Sequence, residues 1–203
     1  LLVSSAASDV YKRQVLIVAD DLGWSDLSYM GSTYYETPNI DKLSKSGMIF
    51  YNGYASAANC APSRATMLSG KYQNAHGIYS VVNPFLGYGS DRGSRKTRKL
   101  IPIKTRSNLD LDFFVIPEML KDLGYVNGHF GKWHLGDIGF HPENSGFDIN
   151  IGGNKHGGPG GYFSPYKYTN MDDGPKGEYL TDRIGDEVVN FIENNTKNNF
   201  FAY

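Results

Sequence analysis

Val15-Leu16-Ile17-Val18-Ala19-Asp20-Asp21 is an unbroken apolar run, rich in β-branched residues, that stops on two adjacent carboxylates. A run of this length and kind reads as a strand buried on both faces of a sheet. Working outward from it, Thr37-Pro38 supplies an N-cap and a proline at the first helical position. Ile40 and Leu43 share a face and Gly47 closes the far end, so residues 38–46 are predicted to be helical, with a second strand at 48–51. A helix is expected from Pro62 to Ser69, closed by Gly70. Another is expected over 116–123, closed by Gly124 and feeding a strand at 125–130. Ile184, Val188, Phe191 and Ile192 recur at i, i+4, i+7 and i+8, which predicts an amphipathic helix over 179–194 ahead of a strand at 200–203. Strands alternating with helices define the fold class as α/β, with a mainly parallel central sheet flanked by helices. Functional groups are then expected at the carboxyl ends of the strands.

The composition narrows the function classes. Twenty basic and 21 acidic residues give a formal charge of −1 and are interspersed, so neither nucleic acid nor a membrane surface is an expected partner. The local exception is Arg92, Arg95, Lys96, Arg98, Lys99, Lys104 and Arg106, read as a solvated loop face with an anion-binding rim as the minority reading. With 24 Gly, 15 Tyr and 11 Phe, much of the chain must be aromatic-studded loop, the kind of surface that builds pockets on a scaffold. The stretches 80–112 and 136–178 are too long for plain connections. Residues 1–14 read as a processing remnant or non-native junction. Phe200-Phe201-Ala202-Tyr203 reads as a strand cut off in mid-course.

Three places carry chemistry. Asp20-Asp21, at the end of the first apolar run, is costly unless a cation or donors neutralise it; all-oxygen ligands point to Ca²⁺ or Mg²⁺, against the plainer reading of a solvated turn. Cys60, just ahead of a proline-initiated helix, would lie at the positive end of the helix dipole, with Arg64 on the same side of the first turn. On those grounds alone a reactive thiol beside an anion site and a buried structural cysteine are equally good readings. Lys132 and His134 taken singly would be a surface charge and a loop histidine.

Cys60-Ala61-Pro62-Ser63-Arg64, continuing through Ala65-Thr66-Met67-Leu68-Ser69-Gly70, resembles the signature of the type I, formylglycine-dependent sulfatases of the alkaline phosphatase superfamily. A second block of that family is matched by Gly124-Tyr125 and Gly131-Lys132-Trp133-His134-Leu135-Gly136, and its first metal motif by Ala19-Asp20-Asp21-Leu22-Gly23-Trp24. Ser69 and Asn127 depart from the family pattern at positions where Thr and a hydroxyl residue are common.

The resemblance implies an N-terminal part of a sulfatase catalytic domain over 15–203, its C-terminal part missing. It implies a sulfuric ester hydrolase acting on a sulfated carbohydrate or aryl sulfate, and a maturation enzyme that converts Cys60 to formylglycine. Asp20 and Asp21 would bind Ca²⁺, with Mg²⁺ also considered, together with an oxygen of the residue made from Cys60. Arg64 would stabilise that residue, Lys132 would hold sulfate oxygens, and His134 would assist proton transfer at the aldehyde hydrate. Periplasmic or extracellular placement follows from the same resemblance. A phosphonate or phosphate monoester hydrolase of the same superfamily, a non-catalytic sugar-binding relative, and an inactive truncated chain are the alternatives. His76 and His156 are left as structural or substrate-loop residues. The Gly-rich, aromatic stretch 152–168 is expected to wall a sugar-stacking pocket.

Overall fold

The computed structural model describes residues 12–81, 103–168 and 170–203. These divide into two compact units, the larger formed by residues up to Leu16 with Ser56–Tyr203 and the smaller by Ile17–Ala55. Among the described residues no helix is long and apolar enough to cross a membrane.

Among the described residues of the larger unit four strands, β1 (Arg13–Val15), β2 (Val126–Phe130), β3 (Ile149–Ile151) and β4 (Phe200–Ala202), form one sheet in the order β1-β4-β2-β3. Every pairing is parallel, as the alternation of elements predicts. The strand expected at 15–19 stops early, with only the Leu16 N–H still reaching the Ala202 carbonyl at 2.8 Å. Val15 opposite Ala202 is the last paired position of this ladder. β1 is exposed rather than buried on both faces, and among the described residues it lies at an edge of the sheet.

Period-two alternation sorts the side chains of β2 and β4 onto two faces. On one, Phe200 and Ala202 join Phe191 of the long helix Leu180–Asn194, packed by Val126, Phe130 and Ile192. The apolar stripe read from the sequence is therefore the stripe that covers the sheet, and its Ile184 end packs on a second cluster of Tyr166, Met171 and Leu180. On the other face, Phe201 and Tyr203 stack against Phe147 at 6.1 and 6.2 Å, and His129 meets Trp133 and Phe147 edge-on.

Among the described residues the other α-helices are α1 (Pro38–Ser46) in the smaller unit, α2 (Cys60–Ser69), α3 (Gln73–His76) and α4 (Ile116–Asp122), with Leu180–Asn194 as α5. α1 matches its predicted span. α2 begins two residues before the expected proline start, because Pro62 at the third helical position still lies among the first-turn residues whose N–H groups have no intrahelical partner. Gly70 ends α2 with φ of 64°, its N–H bonded to the Thr66 carbonyl at 2.8 Å. The strand expected at 48–51 does not form. Met48, Phe50 and Tyr51 are exposed, and the Phe50 carbonyl instead closes a turn with the Gly53 N–H. β3 was not foreseen; it lies inside the stretch 136–178 expected to be loop.

Asn127, one of the two departures from the family pattern, is a tie rather than a flaw. Its fully buried amide donates to the Pro117 carbonyl at 2.7 Å and the Gly146 carbonyl at 2.9 Å, while its backbone N–H meets Asp148 Oδ2 at 2.9 Å. One side chain thus fastens β2 to the start of α4 and to the turn before β3. Asn127→Leu strands two carbonyls and should cost about 1–3 kcal/mol in urea unfolding. A variant as stable as the parent to within about 0.5 kcal/mol, at unchanged m-value, would show that the tie is redundant.

Candidate active site

α2 presents Cys60 in its first turn, after Asn59 with extended backbone (φ −122°, ψ 155°). Cys60 is a free, half-buried thiol. The Asn59 side chain makes no capping bond but reaches Ser80 Oγ at 3.1 Å, leaving the N–H groups of the first turn to act on whatever anion is placed there. Arg64, one turn on, is 95% buried by the surrounding chain, with 5% of its surface exposed. Its Nη1 donates to the Lys132 carbonyl and, at 3.2 Å, to the Tyr203 hydroxyl, with the guanidinium 5.9 Å from the Tyr203 ring centre. This residue therefore ties the helix of Cys60 to the segment after β2 and to the residue after β4, both at carboxyl ends of strands.

Lys132 and His134 leave β2 on that segment. His134 has a left-handed backbone (φ 63°), uncommon for a non-glycine residue, held by its N–H bond to the Asn154 carbonyl at 3.0 Å. Gly157 closes on its ring: a Cβ there would come within 2.6 Å of His134 Cε1, so a side chain would displace the imidazole. His156 is exposed, its backbone N–H on Asn154 Oδ1 at 2.8 Å, as part of the same cradle. Sequence reasoning passed over this Asn154–Gly157 cradle, since only the fold returns it to β2.

A cavity of about 160 Å³ opens beside this pair of segments, lined by Ala61 from α2, His134, Asn108, Asp137 and Lys155, with Ile78, Arg106 and Ser107 completing it. The Leu109 N–H bonds the Leu135 carbonyl at 2.8 Å, fixing the wall that carries Asn108 against the segment that carries His134. Cys60's neighbour and His134 thus share one cavity. Lys155 Nζ sits 2.6 Å from Asp137 Oδ2, and its hydrogen bond holds the Asp137 carboxyl below the usual carboxylate range.

His76 is fully buried and structural: Ile78 N–H donates to its Nδ1 at 3.1 Å, so Nε2 carries the proton and faces Thr66 Oγ1 at 3.2 Å. Burial lowers its pKa. Ser69 Oγ donates to the Ala65 carbonyl at 2.6 Å, within its own helix. Residues 92–99 of the basic cluster lie outside the described residues. Lys104 and Arg106 line a larger cavity of about 610 Å³, where Arg106 pairs with Asp110 at 2.7 Å. From the stretch 152–168, Tyr166 is buried in the core rather than walling a pocket, while Tyr162 and Phe163 are exposed. The cavity beside His134 takes Lys155 from this stretch and no aromatic ring.

Asp20 and Asp21 belong to the smaller unit and Cys60 to the larger. Asp21 has φ of 58°, which turns the chain directly after Asp20. As adjacent carboxylates the pair has the donor chemistry of a hard divalent cation, yet supplies two residues towards a shell of about six to eight oxygens for Ca²⁺. Among the described residues, no group of three or more His, Cys, Asp or Glu side chains is gathered to hold a metal ion.

Comparison with known proteins bears on this arrangement. A family model described as Sulfatase matches residues 12–203. The chain is 35% identical over 153 residues to N-acetylgalactosamine-6-sulfatase of Canis lupus familiaris, covering 75% of this chain and 26% of that protein. It is 35% identical over 139 residues to human arylsulfatase G, covering 68% and 23%. Among solved structures it resembles Ps i-CgsB in complex with k-i-k-neocarrahexaose, with a TM-score of 0.72 and 31% identity over 94% of this chain and 44% of that one. A protein solved with its substrate D-glucosamine-2-N,6-O-disulfate gives a TM-score of 0.66 at 26% identity, covering 94% and 33%. The chain spans about a quarter of the length of these curated relatives.

Beneath the site, His129 offers a test that needs no activity. It is fully buried among Trp133, Phe147 and Tyr203, with the Arg64 guanidinium close by, and neither ring nitrogen makes a hydrogen bond of ordinary geometry. Burial first, and the Arg64 charge second, push its pKa down to about 3. Because the unfolded imidazole titrates near 6.5, this contribution to stability is complete above that pH. It is lost as pH falls towards 3, by up to about tenfold in the folding equilibrium per pH unit. Urea midpoints between pH 7 and 4 should therefore fall less steeply for His129→Leu than for the parent; identical slopes would show that the imidazole is protonated in the folded state.

Proposed function

The chain belongs to the Sulfatase family, and on that premise we propose that it forms the N-terminal part of a sulfuric ester hydrolase, with Cys60 the precursor of a formylglycine nucleophile. The observation that carries this reading is the convergence of Arg64, on the helix of Cys60, with the segment bearing Lys132 and His134. A helix terminus that favours anions, the Arg64 guanidinium, the Lys132 ammonium and the His134 imidazole would together form a set suited to a tetrahedral sulfuryl group. Sulfated carbohydrate is the proposed substrate class, with aryl sulfates as surrogates. The support is that a relative is named for N-acetylgalactosamine 6-sulfate chemistry and a related structure holds a sulfated glucosamine. Periplasmic or extracellular operation is part of the same proposal.

In the proposed reaction one hydroxyl of the formylglycine hydrate attacks sulfur, and the bond from sulfur to the alcohol oxygen breaks, the alcohol leaving with a proton. The second hydroxyl of the same carbon then gives up its proton. The aldehyde re-forms as the carbon–oxygen bond to sulfate breaks, and water restores the hydrate. A serine could be sulfated but has no second hydroxyl to drive that release. Lys132 holds the sulfate oxygens, and His134, fixed by Asn154 and Gly157, takes and returns the hydrate proton. Arg64, held on the Lys132 carbonyl, steadies the modified residue. Asp20 and Asp21 would hold Ca²⁺, or Mg²⁺, with an oxygen of that residue. The cation when bound favours the ionised form of the nucleophile. With only about a quarter of a relative's length present, catalysis is proposed for an enzyme of full family length.

In a host that carries the maturation enzyme, mass spectrometry of the Cys60 peptide should show the aldehyde in place of the thiol. Free thiol alone would remove the formylglycine reading. In the enzyme of full family length, Lys132→Ala and His134→Ala should each lower turnover of an aryl sulfate by a factor on the order of 10²–10⁴. Turnover of an aryl phosphate in preference to the sulfate would move the assignment to a phosphate monoesterase.

A further inference from the structure

We infer that the cavity beside His134 is the subsite for the sugar ring that carries the scissile sulfate, and that Asn108, Asp137 and Lys155 read the hydroxyls of that ring. The inference rests on the sulfatase reading and adds the groups that would recognise the substrate.

Its volume of about 160 Å³ lies below that of drug-sized ligand sites, so it takes one edge of a ring rather than a chain of rings. Ala61 and His134 form part of its lining, so a ring seated there lies against the first turn of α2 and the proposed proton-transfer group. The polar lining is paired rather than single-signed. Lys155 is neutralised by Asp137 at 2.6 Å, and Arg106 by Asp110 at 2.7 Å. A second anionic group on the ring would face the Asp137 carboxylate, held ionised by Lys155. Sugar hydroxyls each donate and accept, and so match a wall that offers ammonium and amide donors beside carboxylate and amide acceptors.

The wall is also fixed before any ligand arrives. Leu109 N–H on the Leu135 carbonyl at 2.8 Å and Arg106 N–H on the Gly77 carbonyl at 2.9 Å hold the Asn108 segment. The Lys155 segment is held by His134 N–H on the Asn154 carbonyl. Prepaid order of this kind favours hydroxyl recognition, because a polar wall left unmatched by the wrong ring stays desolvated and unpaired.

The test uses the enzyme of full family length with formylglycine installed. Its substrates are N-acetylgalactosamine 6-sulfate, D-glucosamine-2-N,6-O-disulfate, k-i-k-neocarrahexaose and 4-nitrophenyl sulfate. Lys155→Met, Asp137→Asn and Asn108→Ala are compared with the parent, the last leaving the ion pair intact should either of the others disturb folding. The expected result is that kcat/KM for the saccharide cleaved falls at least tenfold relative to kcat/KM for 4-nitrophenyl sulfate, with the loss carried by KM. A ratio within twofold of the parent in all three variants, or an equal loss on both kinds of ester, overturns the subsite. Turnover of 4-nitrophenyl sulfate with none of the saccharides cleaved also overturns it, and in each of these cases the sulfatase reading stands. Turnover of none of the esters overturns both.

Discussion

A guanidinium that is 5% exposed must find acceptors inside the protein, and Arg64 finds them on the Lys132 carbonyl and the Tyr203 hydroxyl. Those partners lie 68 and 139 residues away in sequence, on two different strand ends. Satisfying one buried charge thus fixes α2 against the carboxyl ends of β2 and β4. With that tie made, Ala61 in the first turn of α2 and His134 line one cavity. Burial first, and repulsion from the Arg64 charge second, keep the His129 imidazole neutral.

The sheet supplies the frame in which this can happen. In a parallel arrangement all strands end on one side, so the segments that follow β2 and β3 gather there with Tyr203. Alternation along β2 and β4 then gives α5 an apolar face and leaves the opposite face to a stack of aromatic rings around His129. Gly128 sits at the tight point of the first face: a Cβ there would come within 2.6 Å of the Phe130 ring and 3.1 Å of Phe191.

The cradle of His134 and the wall of the cavity illustrate how a site recruits residues that carry no motif. Asn154 and Gly157 act through a carbonyl and an absent side chain, and Asn108 through its position opposite Leu135. Neither kind of contribution leaves a recognisable spacing. Lys155 and Asp137 are 18 residues apart and, read singly, are ordinary surface charges.

Local chemistry written in the chain accounts for the helices at 38–46, 116–122 and 180–194 and for the parallel α/β class, and its motifs single out Cys60, Arg64, Lys132 and His134 as the proposed site residues. Capping, periodicity and motif order are short-range properties, so they survive in a linear reading. The extent of a strand is not short-range: Val15–Ala19 has every attribute of a buried strand, yet only Arg13–Val15 forms β1, and 48–51 stays unpaired. β3 forms from Ile149-Asn150-Ile151 because β2 is there to pair with it. Which histidine is buried, which lysine meets which aspartate, and which wall faces His134 depend on packing between residues far apart in sequence, and only the folded chain brings those partners within reach.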